Sequence, residues 1–293
     1  MGKFHGIIPP MLTPFTRDGK LYEDGLKNLL DFLVENGIQG LFICGTYGCG
    51  PAMTIDERKR VAEITMENVR GSLDVIVHVG SSTMDFALEL AKHAEEIGAD
   101  AVASVPPFYY AYDEESVFSF YKRLLSEVDI PVFVYNNPFR SGISISPELL
   151  SKLADEGVAG IKDSCFDLVK FYEYKLSVKK KGFIFLIGTE ALMLPAMLAG
   201  ARGCISGSAN VFPKVNVELY KMIVENNIHE AVNKQLQIIE VRRILHLAPV
   251  IPACYEVLRM RGIDAGYPKP PFKPLSVDEV HIIRDKLAEL NLL

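Results

Sequence analysis

Short runs of apolar and β-branched residues recur along the first two-thirds of the chain, each closed by Gly, Pro or polar punctuation and followed by helical spacing. Eight such runs stand out: Gly6 to Leu12, Gly40 to Cys44, Asp74 to Val79, Asp100 to Val105, Pro131 to Tyr135, Val158 to Ile161, Phe183 to Ile187 and Arg202 to Ile205. They are nearly continuous rather than alternating, the pattern of parallel strands covered on both faces. Helix-start signals fall between them. Thr54-x-x-Glu57 and Ser82-x-x-Asp85 read as capping boxes, the second with Asp in place of Glu, and Ser146-Pro147-Glu148 supplies an N-cap followed by proline. Eight strand–helix units predict an α/β fold of the (β/α)₈ TIM-barrel type over residues 1–225.

A doubly wound open sheet is the competing arrangement. It would carry a Gly-rich nucleotide fingerprint after its first strand, and Pro9-Pro10-Met11-Leu12-Thr13 is not one. Beyond the eighth run the pattern becomes purely helical, with candidates from Val215 to Asn226, Glu230 to His246, Pro252 to Arg261 and Val277 to Leu290. Residues 226–293 are therefore expected to form a C-terminal helical extension packed on the barrel. The proline-rich stretch from Gly266 to Pro274 is too short to separate two folds and reads as a rigid connector.

Composition narrows the function classes. Of 293 residues 49% are hydrophobic, enough for a large core, and the formal charge of −6 offers no global positive field. Neither nucleic acid nor an anionic membrane surface is expected as a partner. Apolar runs such as Val75 to Val79 are far short of the roughly 20 residues that cross a bilayer. The first residues lack a secretory apolar stretch and the Ser or Thr that myristoylation needs at position 6, so a cytoplasmic location is expected. Five cysteines without a Cys-x-x-Cys pair fit neither a disulfide framework nor a zinc site; they read as small buried hydrophobes.

In a barrel the chemistry sits at the carboxyl ends of the strands. Those ends read Gly45-Thr46-Tyr47-Gly48, Pro106-Pro107-Phe108-Tyr109-Tyr110, Tyr135-Asn136-Asn137-Pro138 and Lys162-Asp163-Ser164. Lys162 is the most unusual, because it follows the apolar run Val158 to Ile161 and would place an ammonium in the mouth. Burial lowers an amine's pKa, which suits attack on a carbonyl. The plain alternative is a lysine paired with a carboxylate such as Asp163. Tyr135, Tyr109 and Thr46 offer hydroxyls for a proton relay, although a lone tyrosine is commonly a packing residue. The six histidines form no His-x-x-x-His or Glu-x-x-His pair, so neither a metal nor any other cofactor is expected, and His78 reads as a satisfied core residue. NTPase and serine-hydrolase motifs are absent. Gly203 to Ser208 lies where barrels often bind phosphate, a weak signal.

On these residues the chain resembles the superfamily of dihydrodipicolinate synthases and N-acetylneuraminate lyases over nearly its whole length. The matching segments are Gly45 to Gly48, Tyr109 after the strand-four prolines, Tyr135 to Pro138, Gly160-Ile161-Lys162-Asp163, Gly188, and Gly200 to Ser206 before Ala209-Asn210. The resemblance implies a class I aldolase with Lys162 as Schiff-base lysine and Tyr135 as proton shuttle. It implies that Thr46 and the backbone N–H of Tyr47 hold the keto-acid carboxylate, that Arg140, Gly188 and Ile205 line the substrate site, and that Tyr109 completes the relay across a subunit interface. A homotetramer built as a dimer of dimers is implied, with a 2-keto acid and an aldehyde as small-molecule partners.

Departures narrow the subgroup. Most of the superfamily carries Gly-Thr/Ser-Thr-Gly-Glu where this chain reads Gly45-Thr46-Tyr47-Gly48-Cys49-Gly50-Pro51-Ala52, a stretch similar to archaeal 2-keto-3-deoxygluconate aldolases. The expected activity is that of a lyase cleaving 2-keto-3-deoxygluconate reversibly to pyruvate and glyceraldehyde, as in an Entner–Doudoroff pathway. Carboxylates in the loop Ala111 to Glu115 are expected to repel a 6-phosphate. Arg140 aligns with the arginine that dihydrodipicolinate synthases use on aspartate semialdehyde, which keeps that condensation as the alternative; it could also serve sugar hydroxyls or a surface ion pair. A non-catalytic sugar-acid-binding protein is the reading of another class, and such a relative should have lost Lys162 or Tyr135.

Overall fold

The computed structural model describes residues 2–69 and 71–293; Arg70 and Met1, the head of the segment read for targeting signals, lie outside the described residues. Each apolar run contributes a strand: β1 Gly6–Ile7, β2 Gly40–Ile43, β3 Asp74–His78, β4 Ala101–Ser104, β5 Val132–Asn136, β6 Gly160–Asp163, β7 Ile184–Ile187 and β8 Gly203–Cys204. Between and after them run α1 Glu23–Glu35, α2 Ile55–Val69, α3 Met84–Glu96, α4 Glu114–Leu125, the one-turn α5 Pro138–Ser141, α6 Pro147–Glu156, α7 Leu168–Ser177 and α8 Met193–Leu198. The chain ends in α9 Pro213–Val224, α10 Ile228–Leu245, α11 Val250–Met260 and α12 Val277–Glu289. All strand pairs are parallel, in the order β1-β8-β7-β6-β5-β4-β3-β2. The sheet closes between its first and last members, where Ile7 O accepts from Gln39 N–H at 3.0 Å and Phe42 exchanges bonds with Pro9 O and Met11 N–H, each 3.0 Å. The fold is a (β/α)₈ barrel with helices appended at its C-terminus.

Prolines explain the largest boundary error. The run Gly6 to Leu12 becomes a two-residue strand because Pro9 and Pro10 have no N–H to give the ladder, and only an isolated bridge from Pro10 to Phe42 continues it. The box at Thr54 forms, with Thr54 N–H donating to Glu57 Oε2 at 2.9 Å and Glu57 N–H to Thr54 Oγ1 at 3.2 Å. Ser146 caps α6 as expected, accepting from Leu149 N–H. The Ser82 box does not form. Thr83 is the N-cap of α3 instead, accepting from Phe86 N–H, and this start turns Ala87, Leu90, Ala91 and Ala94 toward the barrel.

Alternation along the strands sorts side chains into two cores. Ile8, Phe42, Ile76, Phe133, Tyr135, Leu186 and Ile205 fill the barrel interior, whereas Val132, Val134, Ile161 and Ile187 join the larger core beneath the helices. Lys162 therefore shares the inward face with Tyr135, its direct neighbour in the β5–β6 register, while Asn136 and Asp163 pair across the same two strands. Lys162 lies inside β6 rather than after it, because the strand starts and ends two residues later than its apolar run. Among the described residues no helix is long and apolar enough to cross a membrane.

The β1–β8 seam is tight. A methyl group built on Gly203 would lie 2.4 Å from Gly6 O and 2.7 Å from Gly6 N, both backbone atoms that cannot swing away. Gly203→Ala is expected to cost about 3 kcal/mol of stability, read as a lowered denaturation midpoint in urea; an unchanged midpoint would show that the seam has slack.

Candidate active site

At the carboxyl ends of the strands a cavity of about 250 Å³ is lined by Lys162, Tyr135, Thr46, Tyr47, Asn137 and Arg140 on one side and by Gly188, Glu190, Ile205, Gly207 and Arg242 on the other. Lys162 is 97% buried, and its amine sits 3.6 Å from the Phe42 ring centre and 3.8 Å from that of Tyr135. Among the described residues it has no ion-pair partner, so the plain alternative of a Lys162–Asp163 pair does not hold: the two side chains leave the strand on opposite faces. Burial holds the Lys162 pKa below its usual value, partly countered by Tyr135. This is an amine arranged to lose its proton and act as a nucleophile.

The Tyr135 oxygen accepts from Asn137 Nδ2 at 2.9 Å and lies 3.4 Å from Thr46 Oγ1. Burial alone would raise its pKa, but the Lys162 charge and the bonds with Thr46 and Asn137 outweigh it, and the phenol lies below its ordinary value. Acid and base are thus drawn toward each other across the ring contact. Behind them, on the outer face, Asn136 Nδ2 donates to Asp163 Oδ1 at 2.8 Å and to the Tyr174 oxygen at 3.1 Å, and Tyr174 O–H donates to Ile145 O at 2.7 Å. Burial pushes the Asp163 carboxyl up, opposed by its bonds with Asn136 and Cys165. This buried, satisfied network ties together the strands that carry Tyr135 and Lys162.

Thr46 and Tyr47 stand on a sharply folded loop after β2. A methyl on Gly50 would lie 1.8 Å from Cys44 O, so only glycine lets the loop double back there, while Cys44 and Cys49 take left-handed φ values of 57° and 56°. The Gly-x-Gly-Pro-Ala departure is therefore a change in backbone path as well as in side chains. Tyr47 packs its ring over Gly207, where a methyl would meet the phenol oxygen at 2.4 Å, and burial raises its pKa well above the ordinary value. Gly188 is required for a similar reason: a methyl there would lie 2.0 Å from Ser164 Oγ, and its N–H donates to Asp163 O.

Tyr109 is 86% exposed with φ of +88° and stands outside the cavity wall of its own chain, the place of a residue expected to act across a subunit interface. Other expectations need correction. The carboxylates of the loop Ala111 to Glu115 do not face the cavity either: Asp113 caps α4, accepting from Ser116 N–H at 2.8 Å, and Ala111 to Glu114 line a separate depression beside Gly142 and Leu149. The phosphate signal at Gly203 to Ser208 fades, because Gly207 N–H donates to Glu190 Oε2 and Ser206 O–H to Asn216 Oδ1. His78 is only half satisfied. Its Nδ1 meets Cys44 O at 3.1 Å while Nε2 has no partner among the described residues; burial, then the Arg58 and Lys162 charges, hold the ring neutral. Of the cysteines, Cys44, Cys49, Cys204 and Cys254 are buried as expected and Cys165 is half-buried.

Reading strand ends also missed parts of the wall. Glu190 follows Gly188 closely enough that the rule used for Lys162 could have found it. Arg242 and His246, from the end of α10, carry no such signal.

Residues 3–290 match the model of the dihydrodipicolinate synthetase family. The chain belongs to this family. It is 32% identical over 294 residues to the 4-hydroxy-tetrahydrodipicolinate synthase of Methanopyrus kandleri, covering 99% of this chain and 98% of that one. It is 34% identical to an uncharacterized DapA-like lyase of Halobacterium salinarum, over 99% of this chain and 95% of the relative. Among solved structures, YagE of E. coli K12, a prophage protein of the dihydrodipicolinic acid synthase family in complex with pyruvate, superposes with a TM-score of 0.96 at 28% identity over the full length of both chains. Dihydrodipicolinate synthase from Aquifex aeolicus superposes with a TM-score of 0.93 at 30% identity, over 99% of each chain.

The coupling of the two buried groups can be read from a pH profile. Reductive trapping of a small carbonyl compound on Lys162 should rise with pH as the ammonium deprotonates, with a midpoint below 10.5. Tyr135 raises the lysine pKa, so Tyr135→Phe is expected to move that midpoint to lower pH still. A midpoint that moves upward would mean the phenol does not stabilise the ammonium.

Proposed function

We propose that this family member is a Schiff-base lyase that cleaves 2-keto-3-deoxygluconate reversibly to pyruvate and glyceraldehyde in the cytoplasm. The observation that carries the chemistry is the buried Lys162 amine, free of any carboxylate and packed against the phenol it must exchange protons with. The amine adds to the C2 carbonyl and water leaves, giving an iminium. Tyr135 as phenolate takes the proton from the C4 hydroxyl, the C3–C4 bond breaks, and its electron pair moves into the iminium to form an enamine while glyceraldehyde departs. Tyr135 returns the proton to C3, and hydrolysis frees pyruvate and the amine. Each proton taken is returned, and no oxidant or cofactor is consumed.

In this reading Thr46 and the Tyr47 N–H hold the substrate carboxylate, Gly188 and Ile205 shape the keto-acid end, and Asn137 orients Tyr135 by its 2.9 Å bond. Tyr109 of a neighbouring subunit extends the relay toward solvent, which requires an oligomer; a homotetramer is the assembly we propose. A left-handed, outward-facing tyrosine is costly in isolation, which supports a contact that uses it. The second reading is 4-hydroxy-tetrahydrodipicolinate synthesis from pyruvate and aspartate semialdehyde. Arg140 favours it: the side chain lines the cavity with no ion pair among the described residues, suited to a second carboxylate, and several relatives bear that enzyme's name.

Incubation with pyruvate and borohydride should leave a reduced adduct on Lys162 by mass spectrometry, absent in Lys162→Ala, and 2-keto-3-deoxygluconate should release pyruvate. An adduct without release, together with consumption of aspartate semialdehyde, would move the assignment to the second reading. No adduct would remove both.

A further inference from the structure

The far wall of the Lys162 cavity contains an ion pair, one member of which, Arg242, lies beyond the reach of barrel-strand reasoning. Glu190, just beyond β7, is 97% buried and Arg242 comes from the last turn of α10. Arg242 Nη1 donates to Glu190 Oε1 at 3.1 Å, and Glu190 Oε2 accepts from Gly207 N–H at 3.1 Å, with the Ser206 hydroxyl oxygen 3.4 Å away. The guanidinium also stacks over the Phe166 ring, 5.1 Å from its centre. Gln235, from the same helix, donates to Glu190 O at 2.9 Å and accepts from Leu194 N–H at 3.0 Å, so α10 is fixed against this part of the mouth. The Arg242 guanidinium is thus held by Glu190 on one side and by the Phe166 ring on another. Its Nε and Nη2 have no hydrogen-bond partner among the described residues, although the side chain is only 24% exposed and lines the cavity.

Resting on the aldolase reading above, we propose that Arg242, positioned by Glu190, is a specificity-determining residue that reads the hydroxyl oxygens at the aldehyde end of the substrate. A guanidinium presents donors only, in a fixed planar fork, and two uncommitted donors in a mostly desolvated wall match two neighbouring hydroxyl oxygens. Because Glu190 neutralises it at close range, the wall carries no net charge to attract a phosphate dianion. The preference for an unphosphorylated substrate thus passes from the acidic loop after β4, which faces elsewhere, to this ion pair.

The test compares aldehydes in condensation with pyruvate. Wild type should use glyceraldehyde at least about tenfold better in kcat/KM than propanal, which lacks both hydroxyls, and better than glyceraldehyde 3-phosphate. Glu190→Gln keeps the shape but leaves the guanidinium charge unopposed, and is expected to raise the ratio of phosphorylated to free aldehyde about tenfold. The double variant Glu190→Gln with Arg242→Met should lose that gain and bring the glyceraldehyde-to-propanal ratio toward one. These are ratios within one variant, so a general loss of rate does not move them, and the borohydride adduct on Lys162 reports that each variant is folded. Should the double variant not fold, Arg242→Lys keeps the charge without the fork and is expected to lower the glyceraldehyde preference severalfold. Ratios that stay at wild-type values in the folded variants overturn the proposal. A wild type that forms the adduct yet condenses only aspartate semialdehyde also overturns it while leaving the lysine chemistry in place, whereas no adduct overturns both.

Discussion

A lysine amine inside a barrel mouth is caught between loss of water, which favours its neutral form, and whatever nearby groups still stabilise its charge. Here those groups are the faces of Phe42 and Tyr135, within 4 Å of Nζ, and no carboxylate. Aromatic faces stabilise an ammonium without capturing its proton. A carboxylate in the same place would hold the proton and quench the nucleophile. The rest of the site can be understood as keeping that balance: Asn137 and Thr46 hold the Tyr135 oxygen, and the tight glycines Gly50 and Gly188 let the loop that carries Thr46 double back and the chain after β7 pass close to Asp163 and Ser164.

Strand alternation makes this arrangement possible at small cost. Residues 135 and 162 meet because they are register partners on the inner face, and Asn136 and Asp163, one position on, meet on the outer face. Two polar networks are thereby kept apart by the thickness of a sheet. The inner one does the proposed chemistry; the outer one, with Tyr174 and the Ile145 backbone, secures the two strands. Had Asp163 been free to reach Lys162, its carboxylate would have competed with Tyr135 for the amine.

The appended helices also enter the site. Helix α10 is anchored by Gln235 and delivers Arg242 to Glu190, so part of one cavity wall comes from outside the eight repeated units. In the function proposed above, the near side of the mouth serves the keto acid and this separate element contributes to the side that meets the aldehyde.

The sequence by itself determined the barrel, since eight apolar runs with helical spacing between them have few other ways to bury both faces of their strands. It also singled out Lys162 and Tyr135, because a lysine and a tyrosine at the ends of neighbouring strands are visible once the strands are. Local rules faltered where a boundary depended on tertiary contact: β1 shortened at its prolines, and α3 took Thr83 rather than Ser82 as cap to aim its apolar face inward. The direction of the acidic loop after β4 and the arrival of Arg242 opposite Glu190 were decided only by tertiary structure. Both depend on how distant elements pack, and a charged residue on a helix carries no local signal of whether it faces water or a partner 52 positions away.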